Sequence, residues 1–118
     1  MSIPYPISEI ADRYTICRLK SERTNEDMST ELKIYINEIT KHSEIWQGIE
    51  TLYEINGKIW DLESDIRQGR EGELGLEEVG RRAIAIRELN KKRVLIKNSI
   101  VGMTGHGFKD IKINHASD

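Results

Sequence analysis

The sequence predicts an all-α chain: a long antiparallel helical hairpin plus an N-terminal helix, forming a helical bundle completed by dimerisation. Three observations carry this expectation. Apolar residues recur at alternating steps of three and four over residues 28–60, and an apolar arc returns over 76–101, the pattern of amphipathic helices. Charged residues make up 32% of the chain and aromatics 6%, a balance that suits helices better than a β-sandwich. The two longest periodic stretches are separated by one short glycine-bearing run, which makes them antiparallel neighbours. The 118 residues suffice for one domain, placed at 1–101, with 102–118 as a flexible tail.

Pro4 and Pro6 forbid a regular helix start in residues 1–7. Ser8 is a suitable N-cap, and Glu9 and Asp12 place acids in the first turn. The first helix is therefore expected from Glu9 to about Glu22. Ile10, Tyr14, Cys17 and Ser21 share one side, while Ile16 and Leu19 lie elsewhere, so this helix touches neighbours on two sides. Cys17 reads as a small core residue rather than a nucleophile.

Thr24, Asn25, Glu26 and Asp27 form a polar break, and a second helix is expected from near Asp27. Met28, Leu32, Tyr35, Ile39, His42 and Trp46 form its seam. A helix running unbroken to Gln68 would be about 60 Å long. Ser43 can act as a fresh N-cap, and the reading favours a break or kink there. His42 in this seam suits a hydrogen-bonded core or interface residue better than a metal ligand.

The third stretch is the most informative. Positions 46, 49, 53, 56, 60, 63 and 67 follow a heptad seam that begins with Trp46, Ile49 and Tyr53. The seam then turns polar at Asn56, Glu63 and Arg67, with Glu63 and Arg67 spaced for an ion pair along the helix. A second stripe, Glu50, Glu54, Asp61 and Asp65, lies opposite and reads as the solvated side rather than a cation site. Residues 68–75 carry Gly69, Gly72 and Gly75 and form the clearest loop. The last helix is expected from about Leu76 to Val101. Its apolar arc includes Val79, Ala83, Ile86 and Val94, and Asn90, Arg93 and Lys97 interrupt it. Reflecting the chain about Gly72 predicts an Asn56–Asn90 contact and a Glu63–Arg82 ion pair.

Charge supports the pairing of these two arms. Residues 44–68 hold six acids and two bases, and residues 76–101 hold three acids and seven bases. Such pairs select partner and register more than they stabilise. The net charge of −2 gives no global attraction to nucleic acid or anionic membrane. One cysteine excludes an intramolecular disulfide. No basic segment followed by an apolar stretch opens the chain, and no run approaches the roughly 18 apolar residues of a membrane span. The expectation is a cytoplasmic protein without nucleic-acid or membrane partners. The glycines around His106 lack the flanking strand and helix of a phosphate loop. Phe108, Ile111 and Ile113 in the tail suit an extended piece docking on another chain, or a poorly ordered end.

With both ends described, the chain resembles a bacterial domain-of-unknown-function family of short helical proteins, often encoded near lipopolysaccharide and other surface-polysaccharide genes. Three blocks carry the resemblance. The first is Ile7 to Ile16 with Lys20, Glu22 and Arg23. The second is Asn56, then Ile59-Trp60-Asp61-Leu62-Glu63 and Asp65-Ile66-Arg67. The third is Asn90 with Lys92, Arg93 and Lys97. Arg13 stands where the family tends to have lysine, and residues 3–6 and 102–118 lie outside the resemblance. The resemblance implies a helical fold and a glycan-biosynthesis context. It implies no mechanism, because the family has no established activity.

Asn56, Glu63, Arg67, Asn90, Arg93 and Lys97 are thus the candidate polar seam or ligand pocket. The leading expectation is a non-enzymatic, self-associating helical interaction module: a homodimer with no cofactor, no catalytic residue and no metal. The alternative is a small all-helical enzyme or small-anion-binding protein, with those side chains lining a pocket between helices. In outline that alternative resembles the all-helical chorismate mutases, although the residue spacing differs. Acid pairs that would hold magnesium, as in helical nucleotide pyrophosphohydrolases, are not repeated beyond Glu9 and Asp12.

Overall fold

A computed structural model describes residues 5–67 and 71–104, and of Arg67 and Glu71 only the backbone. All the regular structure in them is helical. Helix α1 spans Ile7–Arg23 and α2 spans Ser29–Ile39. A 3-10 stretch, Thr40–Ile45, leads into α3, Trp46–Arg67. The single turn α4, Glu71–Leu74, precedes α5, Leu76–Thr104.

Helix α1 begins at Ile7 rather than Glu9. The Pro6 carbonyl accepts the amides of Glu9 at 3.0 Å and Ile10 at 3.1 Å. Proline suits this place because its φ is fixed and it has no N–H to satisfy. Ser8, expected as the cap, instead lies buried in the first turn. The helix ends where Thr24 turns extended, its amide and its hydroxyl both donating to the Lys20 carbonyl, at 2.9 and 2.6 Å. Asp27 then accepts the Ser29 amide at 3.0 Å across Met28, the residue that opens α2. Hydrogen bonding to Ser29 holds the Asp27 carboxyl below its usual range.

The expected break is present at His42, whose φ of −136° and ψ of 61° leave the helical region. The kink turns the chain so that Ile39 before it and Ile45 after it both reach the core, each 0% exposed. Gly75, at φ +81°, makes the turn into α5 in a conformation that favours glycine. Gly102, Met103 and Thr104 continue α5 past the expected boundary at Val101. Residues 105–118, with the expected extended piece, lie outside the described residues.

The core sits at one end of the bundle. Ile7, Ile10 and Ala11 of α1 meet Ile39, Ile45, Ile49, Leu52 and Ile100 there. Tyr14 packs edge-on against Trp46 with ring centroids 5.9 Å apart. Gly48 lets α3 and α5 approach: a Cβ there would lie 3.3 Å from Ile100 Cγ1. Away from the core, Arg82 of α5 bonds the Leu62 carbonyl at 3.3 Å and Asp65 at 3.4 Å.

Helix α1 is the element most enclosed by its neighbours. It packs against α2, α3 and α5, and Ile7, Ser8, Ile10, Ala11, Asp12, Thr15, Cys17 and Leu19 are all buried. Its C-terminal half lies along one edge of the acidic stripe of α3. Arg18 pairs with Glu50 at 3.2 Å and stacks 3.9 Å from the centre of the Tyr53 ring. Arg23 pairs with Asp61 and reaches the Gly57 carbonyl. Glu50, Glu54 and Asp61 are nonetheless exposed, so the stripe stays the solvated side while two of its carboxylates pair with arginines of α1. No helix among the described residues is long and apolar enough to cross a membrane.

Candidate functional site

The polar residues that interrupt the apolar faces meet around α1. Asn56, 5% exposed, projects from the middle of α3 toward α1. Its amide donates to Asp12 Oδ1 at 3.0 Å and to Thr15 Oγ1 at 2.8 Å. The Thr15 hydroxyl in turn donates to the Asp12 carbonyl at 2.7 Å. Arg93 of α5 donates to the second Asp12 oxygen at 3.2 Å and to Asn90 Oδ1, also at 3.2 Å. One buried carboxylate thus ties three helices together, with both of its oxygens engaged.

Asn56 and Asn90, expected in contact, line one cleft and are linked through Asp12 and Arg93, because α1 lies against both α3 and α5. Arg82 also departs from expectation. Its acid on α3 is Asp65 rather than Glu63, and Glu78 on its own helix accepts from it at 2.9 Å. Asp65 and Glu63 are two residues apart and so point to different sides of α3. Lys97, 7% exposed, forms an ion pair with Glu9 in the first turn of α1. This is a second polar tie between α1 and α5, one turn beyond the first.

Glu63 stays half-buried and shares a cleft of about 240 Å³ with Trp60, Asn56, Asn90 and Arg93. Five of the six candidate residues are thereby placed, four of them at this cleft and Lys97 at its own pair with Glu9. The side chain of Arg67 lies outside the described residues. Asp12, Thr15 and Glu9 were missed as members of the site. A polar residue on a short helix reads as solvated unless its partners are known. The one available signal was the block Ile7 to Ile16, which holds all three.

Chemically the centre is closed. Among the described residues, every buried side-chain nitrogen or oxygen has a hydrogen-bond partner. No group of three or more His, Cys, Asp or Glu gathers there to hold a metal ion. Burial, followed by the charge of Glu31, pushes the Cys17 thiol above its ordinary value, opposite to the activation of a nucleophile. Tyr53, at the α1–α3 edge, is pushed up by its hydrogen bond to the Glu22 carboxylate. No protein-family model, no curated protein and no solved structure matches the chain.

Proposed function

We propose that the protein is a non-enzymatic, self-associating helical interaction module. In this reading α3 and α5 act as an antiparallel hairpin clasping α1, and a second copy completes the bundle. The observation that carries it is the closure of the Asp12–Asn56–Thr15–Arg93–Asn90 centre. A centre whose charges and donors are committed to each other fixes register and holds the helices in place. Function is then left to the surface, where Leu76 is 91% exposed, Leu95 67% and Ile84 57%, all on α5. We further propose a cytoplasmic module acting in a surface-polysaccharide context, a reading supported by the sequence blocks Ile7 to Ile16 and Ile59 to Arg67.

Sedimentation equilibrium of the full chain tests this over a hundredfold range of concentration. The expected result is a reversible dimer. A strict monomer throughout overturns the reading.

The cleft at Asn56, Glu63, Asn90 and Arg93 favours a second reading, a small-anion-binding protein or small helical enzyme with Arg93 as anchor. It predicts a rise in melting temperature with small carboxylates or phosphates that Arg93→Met abolishes. No shift with any of them removes it.

A further inference from the structure

The outer side of α5 holds a second pattern that the monomer does not use. Place its residues at about 100° each. Ile84, Glu88, Lys91 and Leu95 then form one stripe within roughly 40° of Ile84. All four are exposed, and Lys91 Nζ pairs with Glu88 Oε2 on the same helix at 3.3 Å. Gly80 and Gly102 lie on the same side, and a Cβ added at either would meet nothing within 4 Å.

The stripe is its own complement. An antiparallel copy of α5, related by a two-fold axis between Glu88 and Lys91, sets Ile84 against Leu95 of the other chain and Leu95 against Ile84. The same axis sets Glu88 against Lys91, and Lys91 against Glu88. Two apolar layers then flank two layers of opposite charge, and all four are made by one operation, as an isologous contact requires. A parallel copy gains neither match: it sets Glu88 on Glu88 and Lys91 on Lys91.

We infer that this stripe is the surface on which a second copy docks, antiparallel, with its axis between Glu88 and Lys91. The inference rests on the self-association proposed above and names its face and register. The central charged layers specify orientation, as polar positions do in coiled coils. Two apolar layers on a partly basic helix give a weak, reversible dimer rather than an obligate one. Arg87 and Lys92 flank the seam on opposite edges and oppose tight closure.

Charge swapping with cysteine trapping tests the inference on the full chain. Glu88→Lys alone and Lys91→Glu alone should each weaken the dimer tenfold or more. The double variant should return it to within about threefold of wild type, with circular dichroism unchanged throughout. Mixing Ile84→Cys with Leu95→Cys protein under mild oxidation should give a disulfide-linked dimer. Ile84→Cys alone should not, because the two copies of position 84 stand about 16 Å apart along the helices at 1.5 Å per residue. If wild type dimerises but the charge variants match it and no 84–95 link forms, the stripe is wrong while self-association stands. If wild type is monomeric at every concentration, both fail.

Discussion

Replacing Asp12 with alanine tests the central argument most directly. Asp12 is 3% exposed and accepts from Asn56 at 3.0 Å and from Arg93 at 3.2 Å. A hydrogen bond to a charged group contributes about 1.5–3 kcal/mol, and a buried donor left unpaired costs about 1–3 kcal/mol. The Asn56 share therefore comes to about 2–3 kcal/mol. Arg93 is 31% exposed, so water takes over much of its role and its share falls to about 1 kcal/mol. The expected loss is about 3–4 kcal/mol, against a typical total of about 5–15 kcal/mol for a domain. For a domain of this size that lowers Tm by roughly 12–16 °C.

The assay is urea and thermal unfolding followed by circular dichroism, with Asp12→Leu, Asn56→Leu and the Asp12→Leu/Asn56→Leu pair in the same series. Removing both partners for apolar groups of similar volume relieves the unpaired donor. The double variant should thus be more stable than the sum of the single losses by about 1–3 kcal/mol. A loss below about 0.5 kcal/mol for Asp12→Ala, or strict additivity in the cycle, would refute the claim that Asp12 holds α1, α3 and α5 together.

Further outcomes follow from other contacts. Glu9→Ala leaves the buried Lys97 ammonium without its carboxylate and should cost more than Lys97→Met, which leaves Glu9 partly exposed to water; chemical denaturation of both variants checks the order. Gly80→Ala on the open side of α5 should stabilise by about 1 kcal/mol, whereas Gly48→Ala should not, because its Cβ meets the fully buried Ile100 at 3.3 Å; melting temperatures read the difference in sign. Cys17 should react with a disulfide reagent far more slowly in the folded chain than in denaturant, with a pH midpoint above the ordinary thiol value. Because the folded state holds the thiol protonated, that contribution to stability is complete below the unfolded pKa. It is lost as pH rises through the raised one, which thermal melts across alkaline pH would show.

The sequence by itself determined that the chain is helical and where its helices change. Periodicity at steps of three and four depends only on the helical repeat and on which residues avoid water. The turn at Gly75 was legible for a local reason, since glycine acts through its own backbone, and the kink was legible in place, at His42 beside Ser43, though Ser43 makes no cap there. It also flagged Asn56, Asn90 and Arg93 as out of place, because a polar residue inside an apolar arc stands out without knowledge of its partner.

Only the tertiary structure decided what those residues are for. Reflecting the two arms about the loop treats them as a pair facing each other, and so predicts Asn56 on Asn90 and Glu63 on Arg82. The packing of α1 against both arms changes this. Its Asp12 takes Asn56 of one arm and Arg93 of the other, and its Arg18 and Arg23 pair with Glu50 and Asp61 of the still exposed acidic stripe of α3. Side-chain pairing across helices depends on how each helix is rotated about its axis. That rotation is fixed by the fit of all the packed faces at once, and no single stretch of sequence contains it.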